Sequence, residues 1–260
     1  MSRLLGLFVV CVANSRLFAF ILFRVSILSS DFQQQLKVIE RLRYSGFLLA
    51  NMEERNSQLG QDIWALYKTK FKTGGYFVEV GACHPIALSN TYLLESKYSW
   101  DGLLIEPNPD LIPQLRSHRK AKVIPFAVGP EGSINLDIAQ SPEFSRNSNL
   151  DKKSKHKLFK SSGRSIKVES WPLAEIFEKN NSPKLMDFMS IDVEGFELQV
   201  LESNDWNRWR PSFIAIEHNF RQDRQKILEF MKKNGYGLSL DHSQYSWDDF
   251  FEDIMPRESN

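Results

Sequence analysis

The sequence predicts an α/β fold, a mostly parallel sheet with helices on both faces. Three observations carry that expectation: short apolar runs of strand length recur along the chain, stretches of helical spacing separate them, and Gly or Pro closes several of the runs. Composition agrees. The 260 residues are 42% apolar and 25% charged, enough for one substantial core, and disorder, collagen and coiled coil are excluded. Lys+Arg 33 against Asp+Glu 32 leaves a net charge of +1, so no global field draws nucleic acid, which is not expected as a partner. Two cysteines, Cys11 and Cys83, make neither a disulfide framework nor a zinc cluster, and a reducing, cytoplasmic setting suits the folded part.

Three segments are expected. Residues 1–30 are hydrophobic but broken: Arg3 precedes Leu4 to Ala13, Asn14-Ser15-Arg16 interrupts, and Leu17 to Leu28 carries Arg24 and Ser26. Neither half reaches the roughly 20 residues of a spanning helix. A signal peptide cleaved after Ala13, a signal anchor, a helix lying in the membrane interface and an extension packed on its own domain all remain open. Through this segment the chain has a route to membrane association. Residues 31–56 read as a lead-in helix or linker, and residues 57–255 as the folded domain.

Within that domain a helix is predicted from Gln61 to Phe71, ended by Gly74-Gly75, then a strand from Tyr76 to Val80 closed by Gly81. Ser89 to Tyr98 reads as helix, Gly102 to Glu106 as a strand stopped by Pro107, and Pro109 to Arg119 as helix. Lys122 to Val128 is a third strand whose Pro125 argues for an edge or a bulge. Ile134 to Ile138 alternates after a Gly132 turn, so a hairpin is expected. Ser141 to Arg164, rich in Ser, Asn and Lys, reads as an insertion loop, either a solvated surface or a lid that meets an anionic substrate. Alternation returns at Ile166 to Ser170. Helix Pro172–Lys179, strand Met186–Val193, helix Phe196–Glu202, strand Ser212–Glu217, helix Gln222–Asn234 and strand Tyr236–Leu240 complete the domain.

The chemistry gathers at three strand endings, because open parallel sheets bind ligands beyond the carboxyl ends of their strands. Gly81 follows one strand and lets backbone approach a ligand closely. Glu106 ends the next, where a carboxylate can accept hydrogen bonds from the two hydroxyls of a ribose. Ser190-Ile191-Asp192-Val193-Glu194-Gly195 ends a third. A pyrophosphate is disfavoured, since Ala82-Cys83-His84-Pro85 after Gly81 lacks the further glycines of a phosphate loop, which also argues against an NAD-linked dehydrogenase. Acidic Glu79 favours a cation instead. A positively charged nucleoside without phosphates fits S-adenosyl-L-methionine.

Ser57-Gln58-Leu59-Gly60-Gln61-Asp62, Phe77 to Pro85, Ser89-Asn90-Thr91-Tyr92, Leu104-Ile105-Glu106-Pro107-Asn108-Pro109, Ala127-Val128-Gly129 and Ser190 to Glu197 occur in the order seen in the FkbM family of methyltransferases, which the sequence resembles from about Ser57 to Tyr236. The resemblance implies a Rossmann-like class I methyltransferase sheet, S-adenosyl-L-methionine as methyl donor, and methylation at a hydroxyl oxygen. It implies Glu79, Gly81, Ala82 and Glu106 as cofactor-binding residues, with Asp192 at the boundary between cofactor and acceptor. Glu79 stands where many members carry aspartate.

Transfer to an alcohol needs alignment and removal of a proton. Asp192 and His84 are the favoured bases, with Glu194 and His218 as alternatives. Each has a plainer reading: Asp192 holding the Gly195 turn, Glu194 capping the next helix, His84 shaping its loop, His218 satisfying a buried carbonyl. Asp192, Glu194 and Glu217 could together hold a divalent cation, but no spacing requires one and no metal is assigned. The expected partner is a small-molecule or glycan acceptor, on whose sugar ring one or two of Trp100, Trp171, Trp206, Trp209, Tyr245 and Trp247 could stack. The competing reading is a non-catalytic, membrane-tethered binding or scaffold protein that keeps the fold.

Overall fold

The computed structural model describes residues 32–139, 146–147, 161–239 and 246–255. The hydrophobic segment 1–30 therefore lies outside the described residues. Among the described residues no helix is long and apolar enough to cross a membrane. The lead-in segment is a helix, α1 (Phe32–Asn51), against which α2 (Gln61–Lys68) packs.

The central sheet is built from β1 (Tyr76–Val80), β2 (Asp101–Ile105), β3 (Lys122–Ile124), β8 (Leu185–Ile191), β9 (Arg210–Glu217), β10 (Tyr236–Leu238) and β11 (Asp248–Asp253). Its spatial order is β10-β11-β9-β8-β1-β2-β3. The five strands from β9 to β3 are parallel, and β11 runs antiparallel to both β9 and β10. From β1 the chain builds outward through β2 to β3, then returns to lay β8 on the other side of β1. Strand order reverses between β1 and β8, and such a reversal opens a ligand crevice at the carboxyl ends.

Helices α3 (Tyr92–Tyr98), α4 (Ile112–His118), α5 (Leu173–Lys179), α6 (Glu197–Glu202) and α7 (Arg224–Lys233) make the crossovers. Alternation along the buried strands divides the core in two. Val78, Val80, Ile105, Met189, Ile191 and Ile216 face one side, with Leu173, Phe177 and Met231. Phe77, Leu104, Phe188 and Ala215 face the other, with Trp64, Leu94 and Leu115.

Several expectations shift. The strand predicted over Lys122 to Val128 breaks at Pro125 into β3, at the sheet edge, and β4 (Ala127–Val128), which belongs to another sheet. That sheet, ordered β4-β7-β5-β6, contains β5 (Gly132–Ala139), β6 (Arg146–Asn147) and β7 (Ser161–Trp171). The hairpin expected across the Gly132 turn does not form: β4 pairs with β7 rather than with β5, and β5 pairs with β7 and β6, so residues 146–147 and 161–164 of the expected insertion loop are strand, and its lysine-rich middle lies outside the described residues. Ser89 to Thr91 is not helical, because the Ser89 and Thr91 hydroxyls and the Asn90 N–H are committed to Glu79. β8 ends before Asp192. Beyond the last expected strand lies a further one, β11, which begins at Asp248-Asp249. Structurally both are buried, Asp248 accepting from Gln61 and Asp249 from Arg224.

Candidate active site

Register does the assembling. Ile105, Val80, Ile191 and Ile216 lie side by side across β2, β1, β8 and β9. The next residue on each strand is Glu106, Gly81, Asp192 and Glu217. Four chemically informative residues thus stand in one row at the carboxyl edge, with Gly81 and Asp192 at the point of strand reversal. Residues 111 positions apart in sequence become neighbours because two strands are in step.

Gly81 has φ +88, and a Cβ there would sit 1.8 Å from the Asp192 carbonyl oxygen. The approach of β8 by itself therefore requires glycine here, a reason additional to the ligand contact expected. The Gly81 and Ala82 N–H groups both donate to the Ile105 carbonyl, and the Ala82 side chain is buried in the core. The turn is held from both neighbouring strands.

Glu106 is buried and has ordered hydrogen bonds: Oε2 accepts from the Cys83 N–H at 2.9 Å and Oε1 from the Asn108 N–H at 2.7 Å. These bonds fix the carboxyl beside the turn that follows Gly81. Burial pushes it up to about 7, and the Glu79 charge adds to the rise while the two backbone bonds oppose it. Each carboxylate oxygen can accept more than one hydrogen bond, so two hydroxyl donors have places to bind.

Glu79 is placed differently from the expectation that it faces a cationic ligand. It sits one step back in the strand, on the opposite face from Val80. It accepts from Ser89 Oγ at 3.1 Å, the Asn90 N–H at 2.7 Å and Thr91 Oγ1 at 2.5 Å, with Arg119 at 3.7 Å. Arg119, fully buried, also binds Glu95 at 3.0 Å, Thr91 Oγ1 at 2.8 Å, Ser89 Oγ at 3.0 Å and the Pro85 carbonyl at 3.2 Å. Burial pushes the Glu79 carboxyl up; the Arg119 guanidinium and the hydrogen bonds act against it. Glu79 and Arg119 together clamp the loop from Pro85 to Thr91. Nothing in the sequence around Arg119, at the end of an ordinary amphipathic helix, signals this role.

On the far side of Gly81 the carboxylates crowd. One oxygen each from Asp192, Glu194 and Glu217 lie within 4.8 Å of one another. Burial raises the Asp192 and Glu217 carboxyls, and Asp192 together with Glu194 and Glu197 raises that of Glu217 further. Glu197, not Glu194 or Asp192, holds the Gly195 turn, accepting from the Gly195 N–H at 2.8 Å and the Val193 N–H at 3.3 Å. Glu194, at φ +54, turns to Arg221, which bridges it at 3.3 Å and Glu197 at 3.4 Å.

The two histidines separate. His84 is exposed, and its Nδ1 accepts from the Ile86 and Ala87 N–H groups, so it shapes its turn and leaves only Nε2 for other duty. His218 is buried, with Nδ1 accepting from the Phe220 N–H and Nε2 3.6 Å from Asp249. Both ring nitrogens point into the protein. Of the tryptophans, Trp100, Trp206 and Trp209 are core; Trp247 is exposed, and its carbonyl accepts from the His218 and Asn219 N–H groups just beyond Glu217. Exposed Phe220, which sequence reasoning passed over, follows in the same turn.

A family model described as the methyltransferase FkbM domain matches residues 79–238, more than half of the chain and the whole row of strand ends. The chain belongs to the FkbM methyltransferase family. The resemblance read from its motifs is borne out, and S-adenosyl-L-methionine is the cofactor of this FkbM-family chain. No curated protein matches it. Solved structures resemble it at low identity. A precorrin-6y C5,15-methyltransferase from Geobacter metallireducens GS-15 is 12% identical, with 73% of this chain and 84% of that one covered at a TM-score of 0.40. The METTL16 methyltransferase domain is 10% identical, with 83% and 78% covered at 0.43. A TehB-like methyltransferase from Corynebacterium glutamicum is 14% identical, with 81% and 96% covered at 0.38.

The residues present suit the cofactor's nucleoside half. Glu106 offers two acceptor oxygens in a row with the glycine turn, and among the described residues no cation is paired with it.

Proposed function

We propose that this chain transfers a methyl group from S-adenosyl-L-methionine to a hydroxyl oxygen of a glycan or another polyhydroxylated small molecule. One observation carries the reading: Glu106, Gly81, Asp192 and Glu217 stand side by side at the strand reversal. Bound there, the cofactor supplies an electrophilic methyl on a cationic sulfur. Glu106 grips the ribose hydroxyls, while the backbone from Gly81 to Cys83, locked by Glu106 and Ile105, gives the nucleoside a rigid bed. Glu79 and Arg119 act at one remove by holding the loop from Pro85 to Thr91. Ala82 contributes backbone only.

The acceptor side lies toward β8 and β9. Carboxylates there accept hydrogen bonds from a polyhydroxylated molecule, and exposed Phe220 and Trp247 offer apolar faces for sugar C–H groups. Asp192, at the boundary, is the group placed to receive the acceptor's proton, with His84 Nε2 as its rival. Membrane association through residues 1–30 and a cytoplasmic setting for the domain remain part of this reading, and nucleic acid is not a proposed acceptor.

Calorimetric titration with S-adenosylhomocysteine, paired with mass spectrometry of glycan acceptors for a 14-dalton gain, is the test. Wild type should give heat and product. Glu106→Ala should weaken nucleoside binding by roughly 2 kcal/mol, about thirtyfold, the scale of losing hydrogen bonds to a charged group. Unchanged affinity in a folded variant removes Glu106 from the site. Cofactor binding with no methylation of any hydroxylated acceptor would favour the scaffold reading.

A further inference from the structure

Asp192, Glu194, Glu197 and Glu217 meet at the carboxyl ends of β8 and β9, and Arg221 touches Glu194 and Glu197. Arg221 balances one side of this group. The other side, Asp192 and Glu217, looks across the gap between β8 and β9. Glu217 is nine-tenths buried at 9% exposure, and its Oε2 has no hydrogen-bond partner. Its neighbour across the gap is Asp192, also an acceptor, so the two can touch only with something positive between them.

A buried acceptor aimed at two further acceptors is an incomplete site. A single proton can join two carboxyls. It cannot draw together three oxygens from three residues within 4.8 Å of one another, and with it in place Glu194 is left to Arg221 at 3.3 Å. A hard divalent cation can, since Mg²⁺, Mn²⁺ and Ca²⁺ prefer oxygen ligands and keep open positions for water or substrate. The FkbM-family chain carries its ligands on a rigid strand end, Glu217, and on the turn held by Glu197, so the cage is ordered on both sides.

We propose that Asp192, Glu194 and Glu217 bind one divalent cation of the magnesium class at the acceptor side of the site. The position deepens the methyl-transfer reading and rests on it for its purpose: the cation stands beside Gly81, where acceptor and cofactor would meet. Asp192 offers the cation one carboxylate oxygen and keeps the other to receive the acceptor's proton. The metal's open positions then select acceptors bearing adjacent oxygens, such as the vicinal hydroxyls of a sugar.

The test uses full-length protein, stripped with a chelator and titrated with Mn²⁺ while the free ion is followed by electron paramagnetic resonance. Calorimetry with S-adenosylhomocysteine runs in parallel. The expected result is one Mn²⁺ bound per chain, displaced by Mg²⁺, and weakened at least about tenfold in Glu217→Gln, a variant that still melts cooperatively. If that variant does not fold, Glu194→Gln makes the same comparison at a loop position. Absence of Mn²⁺ binding, with the heat of S-adenosylhomocysteine intact, overturns the cation site and leaves the methyltransferase reading standing. Equal Mn²⁺ affinity in wild type and both folded variants overturns the assignment to these residues. Mn²⁺ bound with no heat from S-adenosylhomocysteine supports the cation site and counts against the nucleoside site instead.

Discussion

Two clusters of buried carboxylates flank Gly81, and they are finished in opposite ways. On the α2 and α3 side, Glu79 and Glu95 share the buried Arg119, and Ser89, Asn90 and Thr91 donate to Glu79. On the β8 and β9 side, Asp192, Glu194 and Glu217 converge with Arg221 at one flank and an unpartnered buried oxygen at the other. The first arrangement is a completed clamp and the second an uncompleted one. Glu106 lies between these extremes, anchored by backbone N–H groups but with no cation paired to it among the described residues. Compensation by the protein itself thus sets the carboxylates of the clamp apart from Glu106, Asp192 and Glu217, the ones we propose to meet a ligand.

Breaking the completed clamp should have the largest effect. Arg119→Met leaves Glu79 and Glu95 buried without their cation and should lower stability by about 3–5 kcal/mol in urea unfolding. A loss below about 1 kcal/mol would place Arg119 outside the structural core of the site. Gly81→Ala comes next: its Cβ meets the Asp192 carbonyl and its φ is strained, so roughly 3 kcal/mol of stability and most nucleoside binding should go. An alanine variant with wild-type melting and affinity would show that β8 does not approach so closely.

The state of Glu106 can be read from pH. Its carboxyl is held at about 7 in the folded chain against an ordinary value of 4.5. Between those values the folded chain keeps a proton that the unfolded chain has released, so stability should fall as pH rises, by up to about 1.4 kcal/mol per pH unit, and level off above 7. The difference between wild type and Glu106→Gln in chemical unfolding isolates this slope, and parallel curves would contradict it. Hydroxyl donors from a bound nucleoside favour the ionised carboxylate, so S-adenosylhomocysteine affinity should climb through the same interval.

The smallest effect is expected at His84. Its Nδ1 caps an exposed turn, so His84→Ala should cost about 1 kcal/mol or less and shift S-adenosylhomocysteine affinity by no more than about threefold. A hundredfold fall in turnover with binding unchanged would instead make His84 the proton acceptor and displace Asp192 from that role.

Much of this was legible in the residues. Apolar runs closed by Gly81, Pro107 and Gly235 marked β1, β2 and the end of α7, because a buried parallel strand must be apolar on both faces and a helix needs a left-handed residue to stop. Glu106 and Asp192 stood out as carboxylates directly after such runs. What misled was local context. No local pattern marked β11, because Asp248-Asp249 is made tolerable inside a strand by distant Gln61 and Arg224. Ser89 to Thr91 resembled the start of a helix because its true partner, Glu79, lies ten residues or more away and on a strand.

The sequence by itself determined the alternation of strands and helices, the positions where strands end and the family to which the chain belongs, since each depends on local periodicity, on Gly and Pro, or on ordered motifs. Only the tertiary structure decided which carboxylates are satisfied. Whether Glu79 faces a ligand or Arg119, and whether Glu217 joins Asp192, depends on register between strands far apart in the chain. Coulombic and hydrogen-bond energies act through space at a few ångströms, and spacing along a sequence does not encode that distance.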